Sequence, residues 1–364
     1  MKNIFAPVGL GIAAAASAAV VLFTFERPPV ETQQRGFRGT AMELVHTPRA
    51  LREIVARNIP PEPTEKVEPA GQKASEVYEN VQVLGDLDAA EFNRLMIAIT
   101  AWVSPEQGCN YCHNVENMAS DEVYTKHVTR RMLQMTKAIN ANWQTHVRET
   151  GVTCYTCHRG QPVPAYVWHT EPGRSSSMLA GSGGQNLVSS AAALSSLPYE
   201  PFTAFFQDSL PIRVNGTTPH GPNNRASIKQ AEWTYALMMH FASATGQNCT
   251  WCHNSRNFGS WVDAPPTRVN AWYGIRMVRE VNNDYITPLT PLWRANPAGP
   301  PEAGSAAKLA RLGPHGDALK ANCMTCHQGA YKPLLGAPML RDYPALNEVS
   351  LSPRQQRSAA LLPR

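Results

Sequence analysis

The chain has 364 residues, a formal net charge of +5 and 43% hydrophobic residues. This length allows two domains. Charged residues make up 17% of the chain and the basic ones form no run, so the composition excludes a nucleic-acid-binding protein.

The first predicted element is an apolar membrane anchor over residues 1–26. Between Lys2 and Glu26 there is no charge, and residues 8–25 form an alanine-rich run near the minimum length of a transmembrane helix. Lys2 places the N-terminus in the cytoplasm and the rest of the chain across the membrane. Cleavage of a signal peptide after Ala18 is the alternative, but the apolar run continues past that residue, which favours a retained helix.

The chain after the anchor divides by composition. Residues 27–85 are predicted to form an extended N-terminal arm, because residues 59–70 are rich in proline and glutamate. Residues 86–165 and 226–340 are predicted as two halves joined by a Gly-, Ser-, Pro- and Ala-rich connecting segment over residues 166–225. Residues 341–364 show little periodicity and are predicted as a surface or mobile tail.

Three helices are predicted in detail. Asp88 with Glu91 is typical of a capping box, which opens a helix that ends at about Val103. A second helix is predicted from about Thr129 to Glu149, ended by Gly151. A third begins with Ser227 and Gln230 and ends at about Thr245, before Gly246. Strand alternation is weak, so the predicted fold is mainly α with long loops.

All eight cysteines fall in four C-x-x-C-H motifs. The motifs are Cys109, Cys112 and His113; Cys154, Cys157 and His158; Cys249, Cys252 and His253; and Cys323, Cys326 and His327. This spacing is typical of covalent haem c attachment, with two thioether bonds per porphyrin and the histidine as proximal iron ligand. Zinc binding or disulfide pairing is the alternative, but four complete motifs with no cysteine left over argue against it. The sequence therefore predicts a multihaem c-type cytochrome with four haem c groups.

The two halves resemble diverged copies, each with two haems. Residues 109–114 match residues 249–254. Met135, Ile139 and Asn140 align with Met277, Val281 and Asn282. A repeat of this kind predicts two equivalent structural units.

A haem that only transfers electrons needs a second axial ligand, whereas an open position favours substrate chemistry. Met96, Met132 and Met238 each lie on a predicted helix upstream of a motif, and this repeated placement predicts iron ligation. The ordinary alternative is a methionine of the hydrophobic core. Spacing does not separate Met132 from Met135, which lies one turn further along the same face. Because every haem has a candidate ligand, the sequence predicts an electron carrier and not an enzyme.

His146 is predicted to ligate the fourth haem. It lies 14 residues after Met132 on the same predicted helix, so the two side chains share a face about 21 Å apart and serve different irons. The repeat aligns Met132 with Gly274, which leaves the fourth haem without a methionine. Met277 is the rival ligand, and a hydrogen-bonded core histidine is the other alternative.

With these motifs and the N-terminal stretch over residues 34–42, the chain from Gln33 to about Pro338 resembles the tetrahaem cytochrome subunit of purple-bacterial photosynthetic reaction centres. The resemblance implies three His/Met haems and one bis-histidine haem. It pairs Met96 with His113, Met132 with His158, Met238 with His253, and His146 with His327. It also implies a nearly linear array in the order first, second, fourth, third, in which the third haem lies nearest the bacteriochlorophyll special pair.

The resemblance further implies partners and a location. The partners are the reaction centre L and M subunits, with H reached through the complex, and a soluble c-type cytochrome or high-potential iron–sulfur protein as donor. The location is the bacterial inner photosynthetic membrane, with the haem domain on the periplasmic side. Residues 86–122 hold seven acids and one base, which predicts steering of a basic donor to the first haem. A quinol-oxidising tetrahaem cytochrome and a multihaem enzyme are the competing interpretations.

Overall fold

The computed structural model describes residues 5–24, 30–36, 41–170, 187–198, 200–214, 228–300 and 310–347. This part of the chain is mainly helical. Its α-helices are α1 Phe5–Thr24, α2 Pro48–Arg57, α3 Ala74–Val77, α4 Ala89–Val103, α5 Tyr124–Asn142, α6 Gln144–Val147, α7 Cys154–His158, α8 Ile228–Thr245, α9 Thr267–Glu280, α10 Thr290–Ala295 and α11 Cys323–His327. Its strands are β1 Glu31–Arg35, β2 Met42–His46, β3 Leu187–Val188 and β4 Ser196–Leu197, paired as two antiparallel hairpins.

Helix α1 coincides with the apolar N-terminal run. Its side chains from Val8 to Thr24 are exposed, apart from the half-buried Ala19. Among the described residues, no helix combines the length and the apolar character needed to cross a membrane. The transmembrane helix predicted from the sequence is therefore not confirmed.

The predicted extended arm contains regular structure. Strands β1 and β2 pair antiparallel, with Glu31 opposite His46 and Arg35 opposite Met42. Helix α2 follows directly, because Thr47 caps it by accepting a hydrogen bond from the backbone N–H of Ala50. Residues 59–70 have no regular structure, as their proline content predicts.

Helix α4 confirms the first predicted helix. Asp88 is its N-cap and accepts a hydrogen bond from the backbone N–H of Ala90 at 2.9 Å. Glu91, which the capping box would direct to the helix end, forms an ion pair with Arg94 at 3.2 Å. Leu95 and Trp102 bury one face of α4 in a core cluster that also packs against α7. Burial of this face holds the second motif against the helix that carries Met96.

The second predicted helix is wrong in its bounds and its continuity. Helix α5 starts at Tyr124 and ends at Asn142, and Trp143 with φ −115° and ψ 28° separates it from α6. Met132 and His146 therefore lie on different helices, and the predicted distance of 21 Å along one axis does not apply. The break follows from Asn140, whose buried side chain bonds to Val152 and Leu346 and so draws the chain back onto α5.

Helix α8 has the predicted end, since Gly246 follows it with φ +63°, a left-handed conformation that glycine adopts without strain. Ser227, its predicted cap, lies outside the described residues. Helix α8 packs against α11, as α4 packs against α7. Helix α9, for which no bounds were predicted, continues into a π-helical turn over Val281–Ile286.

Two segments predicted as linker and tail contribute to the core. Phe202, Phe205 and Phe206 of the connecting segment are at most 2% exposed and form a second core cluster with residues of α8 and α9. Leu346, in the predicted tail, is fully buried and packs in the first core cluster with α4. Residues 341–347, the described part of the predicted tail, thus combine buried residues of this core with exposed ones.

Candidate haem-binding sites

A cavity of about 1590 Å³ lies between the elements that carry the motifs. Small-molecule sites usually have volumes of roughly 300–1,000 Å³, so this space exceeds a site for one such ligand. The predicted iron ligands that line it are Met96, Met132, His113, His146, His158 and His327, and the lining cysteines are Cys109, Cys112, Cys154, Cys157, Cys252, Cys323 and Cys326. Among the described residues, Met238, His253 and Cys249 are not part of this lining.

The four motifs adopt two local structures. The second and fourth motifs form the one-turn helices α7 and α11, each opened by a capping box, from Thr153 to Thr156 and from Asn322 to Thr325. The first and third motifs form 3-10 turns over Gly108–Tyr111 and Cys249–Trp251, each followed by a loop. The helices of the second and fourth motifs include both cysteines and the histidine, whereas the turns of the first and third motifs contain the first cysteine and have the second cysteine at their C-cap.

Each motif histidine has one ring nitrogen fixed by the backbone. The Nδ1 atoms of His113, His158, His253 and His327 lie 3.3, 2.9, 2.9 and 2.9 Å from the carbonyl oxygens of Met118, Gln161, Phe258 and Ala330. A carbonyl oxygen only accepts, so Nδ1 carries the proton in each ring. Nε2 therefore keeps its lone pair, which is the arrangement of a metal-binding histidine.

Burial keeps these rings neutral. It lowers the pKa of His158 and of His327 to about 4, and it lowers the pKa of His113 and of His253. A neutral imidazole binds a metal ion without first losing a proton. All four rings are thus ready to bind iron at neutral pH.

His146 faces His327 across the cavity. Their ring centres are 6.0 Å apart and the rings are inclined by 70°. Two imidazoles that bind one metal ion from opposite sides, with each nitrogen at about 2 Å, have ring centres about 6 Å apart. The Nδ1 atom of His146 donates to the carbonyl oxygen of Asn270 at 2.8 Å, so its Nε2 also keeps a free lone pair. This separation fits one iron between the two rings.

The rival ligand Met277 is in a different environment. It lines the cavity but is 8% exposed and packs in the second core cluster beside Ile275 and Val278. Those contacts are the ones that a core methionine makes. The geometry therefore favours His146 over Met277 as the side chain that could share a metal ion with His327.

The methionines on the helices are placed unequally. Met96 on α4 and Met132 on α5 both line the cavity, and so does Met135, which also packs against the second core cluster. Met238 on α8 packs against that cluster too. The structure brings Met96 and Met132 to the cavity of the first and second motifs. It does not bring Met238 to this cavity.

The second and fourth motifs meet at their second cysteines. Cys157 and Cys326 are joined by a disulfide, with Cα atoms 4.6 Å apart, and the other six cysteines are free. A sulfur that forms a thioether cannot also form a disulfide, so this bond and the predicted haem attachment exclude each other at these two residues. The contact shows that the two motifs share one wall of the cavity.

Buried indole groups suit the acidic edge of a haem. The Nε1–H groups of Trp251 and Trp293 are buried, have no hydrogen-bond acceptor among the described residues and belong to residues that line the cavity. Buried donors are normally satisfied, and a carboxylate of a bound ligand would supply acceptors. Each haem carries two propionates. The lining thus fits haem, and sequence reasoning had no signal for these two tryptophans.

Asn140 and Asn282 each bind the backbone just before a C-x-x-C-H motif. The sequence analysis aligned these two residues but assigned them no role. Asn140 Oδ1 accepts from the backbone N–H of Val152 at 2.7 Å, and its Nδ2 donates to the carbonyl of Val152 at 2.9 Å. Asn282 forms the same pair of bonds with Ala321, at 2.8 and 2.9 Å. Val152 and Ala321 each lie two residues before the first cysteine of a C-x-x-C-H motif. The repeat in the sequence was the signal for this function.

Comparison with known proteins gives a consistent result. The family model of the photosynthetic reaction centre cytochrome C subunit matches residues 26–347. The photosynthetic reaction center cytochrome c subunit of Rubrivivax gelatinosus is 50% identical over 91% of this chain and 87% of its own length. Those of Thermochromatium tepidum and Roseobacter denitrificans are 46% and 37% identical, over 92% and 94% of this chain and 80% and 94% of their own lengths.

Proposed function

Because this chain belongs to the photosynthetic reaction centre cytochrome c subunit family, we propose that it carries electrons from a soluble periplasmic donor to the photo-oxidised special pair. Electron transfer in photosynthesis and covalently bound haem c follow from the family. We propose four haems, one for each C-x-x-C-H motif. The observation that carries this proposal is that each of the four motif histidines has Nδ1 fixed to a carbonyl and Nε2 free.

The proposed axial ligands are Met96 with His113, Met132 with His158, Met238 with His253, and His146 with His327. Bound haem supplies a reversible one-electron couple, and a thioether ligand raises its potential relative to a second imidazole. The two cysteines of each motif would hold a porphyrin through their sulfurs, and the paired side chains named above would ligate its iron. With no open position, substrate chemistry has no place, which supports an electron carrier over an enzyme.

The proposed order of haems is first, second, fourth, third. The adjacency of Cys157 and Cys326 supports it, because it puts the second and fourth attachment points beside each other. In the haem-loaded protein we propose thioether bonds at both sulfurs in place of the disulfide. Helix α4 packs on α7 and helix α8 packs on α11. These two equivalent contacts support two related dihaem halves. Mass spectrometry of peptides containing these cysteines would reveal a disulfide if the proposal is wrong.

The proposed partners are the L and M subunits of the reaction centre, with H reached through the complex, at the periplasmic face of the bacterial inner photosynthetic membrane. Helix α1 supports membrane association because large apolar side chains such as Leu10 and Phe23 are 74% and 75% exposed. We propose that α1 anchors the chain there. Release of the protein by a high-salt wash that leaves the reaction centre behind would contradict this anchor.

Flash spectroscopy on native membranes tests the function. After one saturating flash, we expect haem oxidation to proceed at the same rate as re-reduction of the special pair. Persistent bleaching of the special pair, with reduced and unresponsive haems, would reject the proposal. That result would favour a quinol-linked electron carrier.

We propose that the soluble electron donor docks on the surface around the first motif. The negative charge of this surface is smaller than the sequence suggests, because basic residues pair with some of its acids. Asp86, Glu91 and Asp121 are paired with basic residues, and Arg130 holds the pKa of Asp121 well below its usual range. Three exposed acids form no ion pair in the described part of the chain, namely Glu106, Glu116 and Glu122. These carboxylates, beside the exposed Val115 and Met118, would attract a basic cytochrome.

Neutralising two of these acids, Glu116→Gln with Glu122→Gln, should slow reduction by a basic cytochrome. We expect a decrease of roughly threefold to tenfold at low salt and little at high salt, since screening removes the same attraction. Glu43→Gln is the matched control, because Glu43 is an exposed acid of β2, which contacts the third motif. Stopped-flow reduction measures the rate. A wild-type rate independent of salt would favour an apolar docking site for a high-potential iron–sulfur protein.

A further inference from the structure

Gly274 lies in the interior of α9, where glycine is unfavourable. Relative to alanine, a glycine in a helix interior costs about 1 kcal/mol. Gly274 is buried and has an ordinary helical backbone, so no turn requires it. A different requirement must therefore explain the absence of a side chain at this position.

The space beside Gly274 is filled by His146. A Cβ atom built on Gly274 would lie 2.6 Å from Cε1, 2.9 Å from Nδ1 and 3.1 Å from Nε2 of the His146 ring. The first two distances are shorter than van der Waals contact allows, and all three ring atoms lie close to the position of the added Cβ. Any side chain at position 274 would therefore displace the ring.

The same absence exposes the carbonyl that orients His146. A helical side chain covers the turn N-terminal to its own Cα, so a side chain at 274 would lie over Asn270. With glycine there, the Asn270 carbonyl accepts from Nδ1 of His146 at 2.8 Å while it remains within the helix. This bond directs Nε2 of His146 toward His327, whose ring centre is 6.0 Å away.

At the position of the first half that aligns with Gly274, the chain has a methionine. Met132 of α5 aligns with Gly274 of α9, and Met132 lines the cavity. We infer that Gly274 selects the axial ligand of the fourth haem, because its missing side chain both withholds a methionine and admits His146. Gly274 is thus a positioning residue that acts through His146, an inference that rests on the proposed haem ligation.

The test uses the purified full chain, with the haems per chain counted first. A wild-type count below four rejects the proposed function before any variant is compared. In Gly274→Ala we expect a changed low-spin electron paramagnetic resonance signal and a shifted potential for one haem, with the other three unchanged. Gly259→Ala is the matched control, because its added Cβ would meet nothing closer than 3.5 Å.

Gly274→Met extends the test. We expect the charge-transfer band of thioether-bound ferric haem to rise from the level of three haems to that of four, with a raised potential for one haem. A double-mutant cycle separates ligand selection from helix packing. In a His146→Ala background, Gly274→Ala should have no further spectroscopic effect. An unchanged spectrum in Gly274→Ala, or an equal effect in both backgrounds, would overturn the inference.

Discussion

Replacing His146 by alanine should convert one of the four proposed haems from a low-spin to a high-spin form and raise its potential. Imidazole stabilises ferric iron more than a vacant or water-filled position does, so its loss favours the reduced state. Axial ligands tune haem potentials over about 0.8 V, and a rise on the order of 100 mV is expected for this one ligand. That shift corresponds to roughly 2.3 kcal/mol for one electron, enough to change the direction of transfer between neighbouring haems. A redox titration of the purified protein, followed at several haem wavelengths, measures the effect.

Met277→Leu is the control for this prediction. Met277 lines the same cavity and is the rival ligand, but its side chain packs in the second core cluster. Leucine has a similar volume, so the core should tolerate it with little loss of stability. We expect four unchanged potentials in Met277→Leu. A shift in Met277→Leu together with a wild-type titration in His146→Ala would transfer the ligand assignment to Met277.

Local signals in the sequence predicted part of this fold well. Asp88 identified the start of α4 and Gly246 the end of α8, because caps depend on a few adjacent residues. The cysteine motifs predicted the sites of haem attachment from adjacent residues in the same way. The membership of the chain in a cytochrome family is consistent with that interpretation. Features of this kind are encoded within one or two helical turns.

Features that depend on distant residues were not predictable. The break at Trp143 follows from bonds between Asn140 and residues 12 and 206 positions away. The hairpin of β1 and β2 has polar strands, and it is held by Thr250 of the third motif, which donates to the Arg35 carbonyl and accepts from the N–H of Met42. Contacts across such separations leave no periodic signal in either segment.

In the candidate sites, too, adjacent residues were informative and contacts between distant residues were not predictable. Spacing proposed His146 for the fourth haem, but it placed His146 on one continuous helix with Met132. The actual position of the ring depends on α6, on the Asn270 carbonyl and on the space beside Gly274. The prediction for His146 thus depended on a partly incorrect geometric reason. In the sequence, the signal for the proposed role of Gly274 was its alignment with Met132.

Asn140→Ala should lower the free energy of unfolding by about 3 kcal/mol or more. The Asn140 side chain is 2% exposed and bonds to both backbone groups of Val152 and to the carbonyl of Leu346 at 2.8 Å. Alanine would leave those three backbone groups without partners, and each unsatisfied buried group costs about 1–3 kcal/mol. Chemical denaturation of the haem-loaded protein measures the change. Asn142→Ala is the matched control, because Asn142 is exposed on the same helix and should change stability by less than about 0.5 kcal/mol.

Substitution of Asn140 or Asn282 should affect the neighbouring haem site as well as the stability of the whole protein. Asn140 fixes the residue that lies two positions before Cys154, and Asn282 fixes the one that lies two positions before Cys323. Asn140→Ala should therefore perturb the absorbance and potential of the second haem, and Asn282→Ala those of the fourth. If each variant loses stability but leaves every haem potential unchanged, the asparagines stabilise the fold without positioning the motifs. If both variants perturb the same haem, the proposed correspondence between the halves fails, since equivalent bonds must then act on one site.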